Sequence, residues 1–89
     1  MKASLKYELK EAADQCGINQ KVIEQFITFN WINPADPDEL KLDEEDIARI
    51  QLIWELKQEL GVNDEAVPII LHLIDELNHL HIQFKERNI

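Results

Sequence analysis

His72, Asp75, Glu76 and His79 stand in the stretch "HLIDELNH" (72–79) at offsets of three, four and seven. In a helix those offsets place all four side chains on one face. Imidazole and carboxylate together are metal-ligand chemistry, and Glu76 with His79 has the E-X-X-H spacing of di-iron bundles. Such a centre needs a second E-X-X-H motif and further glutamates from other helices. A symmetric dimer would supply the second motif, but nothing in the chain supplies the rest. The four residues read better as a polar helix face with i,i+4 pairs, and no metal or other cofactor is expected.

A second concentration of chemistry is acidic. Asp36, Asp38, Glu39, Asp43, Glu44, Glu45 and Asp46 crowd into residues 36–46, diluted only by Lys41. Taken singly, each reads as part of a solvated loop or an acidic helix start. As a patch they suit a basic partner surface. The whole chain carries a net charge of −9, which repels polyanions on average. A basic protein surface is therefore a better expected partner than nucleic acid, phosphate or an anionic membrane.

Enzymatic signatures are missing. The chain has no G-X-S-X-G, P-loop or G-X-G-X-X-G motif, and no enzyme is expected. Cys16 is the one cysteine, so neither an internal disulfide nor a cysteine-rich metal site can form. It reads as a small buried residue rather than a reactive thiol. Trp31 and Trp54 are the two tryptophans, and tryptophan is enriched at interface hot spots. Trp31 is assigned to the core, and Trp54 is kept as a candidate partner contact.

The elements that must position these groups are mostly helical. "LKYEL" (5–9) alternates apolar and polar residues, as a short entry strand does. "KEAADQC" (10–16) reads as a short helix closed by Gly17. Asn19 is placed to cap a second helix, reaching about Phe29, with Val22, Ile23, Phe26 and Ile27 in one stripe. Helix, glycine turn, helix is the helix-turn-helix pattern, over residues 5–29 with the entry strand. Pro34 and Pro37 break "NWINPADPDELKL" (30–42). Its short apolar pieces, "WIN" and "ELKL", suggest a small two-stranded β-wing.

"DEEDIARIQLIWELKQEL" (43–60) is the clearest helix, with Asp43 as N-cap and acids in the first turn. Its apolar positions, Ile47, Ile50, Ile53 and Trp54, widened by Ala48, Leu52 and Leu56, imply contact on more than one side. Gly61 ends it. A last helix spans 63–87, with Asn63 as cap and Pro68 near its start. Ile70, Leu73, Leu77, Leu80 and Phe84 follow the alternating three-four spacing of a coiled-coil seam. That seam is the expected homodimer interface.

At 89 residues the chain is one domain's worth. Apolar residues make up 45% of it, which argues against disorder. No signal peptide and no run of roughly 20 apolar residues is present, so a soluble cytoplasmic protein is expected.

The order helix, glycine turn, helix, wing, "DEEDI" helix, "ELGV" turn and final helix resembles the winged head of MerR-type regulators. In that head the second helix ends near R-Y-Y, followed by G-L-L and a proline. Here "EQFITFNWINP" (24–34) fills that place. Glu24 stands where the resemblance calls for a DNA-contacting arginine, and Gln25 and Phe26 stand at the paired aromatic positions. Leu40, with Lys41 beside it, falls where the wing usually offers an arginine. Lys21 is the only basic residue left in that helix.

In length, acidity, the "ITFNWINP" turn and the final "IILHLIDELNHLH" helix, the chain is similar to the CbpM-type chaperone modulators. That resemblance implies a MerR-like winged helix-turn-helix that binds the J-domain of a CbpA- or DnaJ-like co-chaperone and inhibits it by occlusion. Asp36, Asp38, Glu39, Glu44, Glu45, Asp46 and Trp54 are the partner contacts expected on this reading. A MerR-like DNA-binding regulator is the alternative.

Overall fold

A computed structural model of the chain describes residues 6–87, with side chains described as far as Leu80. Among the described residues four helices follow in order: α1 (Leu9–Cys16), α2 (Gln20–Thr28), α3 (Glu44–Gln58) and α4 (Val67–Arg87).

Local chemistry sets most of the boundaries. The Glu8 N–H donates to Glu11 Oε1 at 2.9 Å and starts α1. Gly17 closes it at φ 69, a left-handed conformation that costs a residue without a Cβ little. Asn19 Oδ1 accepts from the Lys21 N–H at 2.8 Å and starts α2. Ile23 and Phe26 are buried on the inner face of α2, with Val22 and Ile27 half-buried beside them. After Phe29 the chain turns through Asn30 at φ 65, and asparagine is one of the few side chains that visit this region routinely.

The expected two-stranded β-wing is not formed as a ribbon among the described residues. Among the described residues, β-pairing is confined to isolated bridges, Asp36 with Lys41 and Tyr7 with Leu42. Trp31 and Ile32 of the "WIN" piece are buried in the core rather than paired as a strand. Leu40 sits at φ 55 in the tip turn, and the Pro34 and Pro37 nitrogens have no proton to donate to a ladder. The entry segment is likewise bridged only at Tyr7 among the described residues, because α1 already begins at Leu9. Leu5, the first residue of the expected strand, lies outside the described residues.

Helix α3 is the axis of the fold. Its N-terminus carries a reciprocal cap: Asp43 Oδ1 accepts from the Asp46 N–H at 2.8 Å, and Asp46 Oδ2 accepts from the Asp43 N–H at 3.0 Å. Ile47, Ile50, Ile53 and Leu56 are buried along it. A spacing of three falls short of the 3.6-residue turn, so this buried line winds around the helix and meets different neighbours at each end. Among the described residues, Ile23, Ile32, Leu42, Ile50, Ile53 and Val67 are the most completely buried large side chains, each contributing roughly 1.5–3 kcal/mol through burial.

An ion pair between Lys57 and Asp64 ties the last turn of α3 to the connection that follows. Gly61 takes φ 67 there. Asn63 Oδ1 accepts from the Ala66 N–H at 2.9 Å, and the regular helix starts at Val67, four residues later than the sequence suggests. The first turns of α4 are rooted in the core through Val67 and Leu71. Beyond them its apolar side chains lie in the open: Leu73 is 58% exposed, Leu77 66% and Leu80 61%. No described helix is long and apolar enough to cross a membrane.

Candidate functional site

The outward face of α2 is formed by Gln20, Lys21, Glu24, Gln25 and Thr28, all exposed. Gln20 Nε2 donates to Glu24 Oε2 at 3.4 Å, and the Thr28 hydroxyl donates to the Glu24 carbonyl at 3.0 Å. One ammonium and one carboxylate therefore balance on this face. In the turn before Lys41, Leu40 is exposed, and the neighbouring cation, Lys41, lies 3.8 Å from Glu39. A surface of this kind has little to hold a phosphate backbone.

The acid run divides into carboxylates that the fold uses and carboxylates that it leaves in solvent. Asp36 Oδ1 accepts from the Glu39 N–H at 3.2 Å within the tip turn. Asp43 caps α3. Asp46 Oδ2 accepts from the Ala35 N–H at 2.9 Å as well as from Asp43, so one carboxylate joins the helix start to the loop before the tip. Burial pushes the Asp46 carboxyl above the ordinary aspartate range, the N–H groups of Asp43 and Ala35 oppose that, and the Asp43 charge reinforces it. Among the described residues, Asp38, Glu44 and Glu45 are the acids of this run left exposed with no hydrogen bond or ion pair.

The polar face of α4 is also committed. Asp75 receives both terminal nitrogens of Arg49, at 3.0 and 3.3 Å. His72 Nε2 lies 3.6 Å from Glu76 Oε2, one helical turn on. Among the described residues no three His, Cys, Asp or Glu side chains converge as a metal site. Arg49 is the organising group that the sequence reading missed. Its Nε also donates to the Trp31 carbonyl at 2.8 Å, so one guanidinium joins α3, the turn after α2 and α4. A signal was available: Arg49 is the single arginine before residue 87, set among the apolar positions of the central helix.

Beside this linkage a cleft of about 470 Å³ opens between α3 and α4, lined by Glu45, Ala48, Arg49, Leu52, Ile74 and Asp75. Of the expected dimer seam, Leu73, Leu77 and Leu80 are exposed and Ile70 is half-buried. The side chain of Phe84 lies outside the described residues.

Trp54 is not part of the acidic surface. It follows Glu45 by nine residues, which at 3.6 per turn places it about 180° around α3. It lines instead a cleft of about 410 Å³ with Val22, Phe29, Trp31 and Lys57. Trp31 is buried there, 5.6 Å from the Phe26 ring and 5.0 Å from the Phe29 ring, with the Lys57 ammonium 5.6 Å from its centroid. Cys16 packs against the core, where burial pushes its thiol up, opposed by a hydrogen bond with Gln51. A raised thiol is a poor nucleophile at neutral pH.

A family model described as MerR HTH family regulatory protein matches residues 7–87. No curated protein matches the chain.

Proposed function

The chain belongs to the MerR HTH family of regulatory proteins, and from that premise we propose that it regulates by holding a protein, as a chaperone modulator of the CbpM type. On this reading it binds the J-domain of a CbpA- or DnaJ-like co-chaperone and blocks that domain's access to its chaperone. The observation that carries the reading is the outward face of α2, where Glu24 meets solvent and Lys21 is the only cation. Binding to DNA without sequence preference comes almost wholly from cation–phosphate contacts. A carboxylate on the face that would read DNA cancels the attraction that Lys21 would offer. The exposed carboxylates of Asp38, Glu44 and Glu45 favour a basic partner, and such charges raise association rate and selectivity more than affinity.

The same reading includes a homodimer through the exposed apolar face of α4, since a patch of that kind marks an interface.

Calorimetric titration with a J-domain from the source organism tests the proposal, beside a gel shift with duplex DNA at low salt. Micromolar or tighter binding that weakens with added salt is expected, with no retained DNA. Reversing both Glu44 and Glu45 to lysine should slow association while helicity holds. A sequence-selective DNA band at physiological salt, with no J-domain binding, would return the chain to the DNA-binding regulators of its family.

A further inference from the structure

We propose that the cleft between α3 and α4 is a docking groove for a basic amphipathic helix of a partner protein. The groove is mixed in character: Ala48, exposed, and Leu52 and Ile74, half-buried on α3 and α4, give it an apolar strip, and Asn33, Asp46 and Asn78 line it beside them. Leu52 packs against the core behind it, so core side chains back this wall. The one cation of the lining, Arg49, is spent on Asp75 and the Trp31 carbonyl. It contributes little free positive charge to a ligand.

Charge selects the occupant. Glu44, Ala48, Gln51 and Glu55 are exposed at spacings of four, three and four along α3, one continuous line on a helix. That line places a small apolar residue between carboxylates at either end, with Glu45 on the groove itself. An amphipathic helix fits such a surface by laying apolar anchors into the groove, here against Leu52 and Ile74, with flanking lysines or arginines facing the glutamates. A second copy of this chain fits poorly. In this groove its α4 would bring Asp75 and Glu76 toward Glu45, whereas the dimer proposed above uses the separate face of Leu73, Leu77 and Leu80. Nucleic acid meets the same carboxylates.

The inference rests on the protein-binding reading above only in taking the ligand to be a protein; the groove and its charge are independent of the J-domain assignment.

Two arms keep the claims apart. In the first, the ¹⁵N-labelled chain is titrated with a synthetic helical peptide of leucine, alanine and lysine, and with the same peptide carrying glutamate for lysine. Amide shifts should gather at Glu45, Ala48, Leu52 and Ile74 for the lysine peptide alone. The variant Ala48→Arg keeps a strong helix former at an exposed site and fills the groove with like charge. It should weaken the lysine peptide by roughly tenfold or more, whereas Gln25→Arg on α2 should change it by less than about twofold. Circular dichroism checks that both variants are folded.

The second arm repeats the comparison with the J-domain. Binding that Ala48→Arg leaves intact keeps the chaperone reading and overturns the groove as its surface. Absence of J-domain binding, with the peptide seated in the groove, overturns the chaperone reading and keeps the groove. Peptide shifts elsewhere, or none, overturn the groove itself.

Discussion

Arg49 and Asp75, 26 residues apart in the chain, meet through two parallel hydrogen bonds of 3.0 and 3.3 Å. The pair holds α4 against α3 just where α4 leaves the core. Arg49 Nε anchors the other side of the same guanidinium to the Trp31 carbonyl, so the arginine has two tasks and the aspartate one.

That asymmetry predicts unequal costs. The ion pair is partly solvated, with the two side chains 32% and 54% exposed, and pairs of that kind are worth about 0–1 kcal/mol. Asp75→Ala should therefore cost less than about 1 kcal/mol. Arg49→Ala also strands the Trp31 carbonyl and should cost roughly 1 kcal/mol more. Urea unfolding of both single variants and the double variant measures this. Equal costs for Arg49→Ala and Asp75→Ala would remove the bond to Trp31 from the account.

Among the described residues, two side chains sit in left-handed backbone, Asn30 at φ 65 and Leu40 at φ 55. Leucine bears the steric cost of that region, about 1–2 kcal/mol, while glycine escapes it. Glycine also loses more freedom on folding, which offsets part of the gain. Leu40→Gly should stabilise the fold by about 0.5–1 kcal/mol, and Asn30→Ala should destabilise it by about 1 kcal/mol. Thermal unfolding checks both, and a destabilised Leu40→Gly contradicts the tip geometry.

Asp46 predicts a pH effect of unusual sign. Its folded carboxyl binds a proton more tightly than an ordinary aspartate, because burial disfavours the charge. Its titration therefore favours the folded state below the unfolded pKa, and that contribution is lost as pH rises through the raised folded value. Carboxyl ¹³C NMR should place the Asp46 midpoint above the ordinary aspartate range. A midpoint below it refutes the assignment. Asp46→Asn keeps an acceptor oxygen for the Ala35 and Asp43 N–H groups, so it should be tolerated better than Asp46→Ala, which loses a cap worth about 1 kcal/mol.

The apolar face of α4 separates packing from association. Leu77 and Leu80 are 66% and 61% exposed within one chain, so replacing both with glutamate removes little internal packing. The variant Leu77→Glu/Leu80→Glu should stay folded, unfold cooperatively and scatter light as a monomer, while the parent chain scatters as a dimer. A parent that stays monomeric at high concentration ends the dimer proposal. An unfolded variant would instead show that these leucines pack inside the fold.

What the sequence determined by itself is the chemistry of short reach. Gly17, Asn19, Asp43 and Gly61 mark the turns and caps because each acts on backbone within a few residues. A cap can be read from the letters beside it. The acidic balance and Glu24 on the second helix are equally plain, since charge and helix face need no tertiary detail. Tertiary structure decided which of those charges are available. Asp46 reads as one more exposed acid until the Ala35 N–H, 11 residues back, reaches its oxygen. Asp75 reads as one member of a polar helix face until Arg49 takes both its oxygens. Trp54 shares a helix with Glu45 and Ala48 but faces a different cleft. Whether the final helix folds back over its leucines or leaves them exposed is set after Leu71, by where α4 parts from α3. These outcomes depend on how helices cross, and the crossing is fixed by the whole core at once, not by spacing along any one segment.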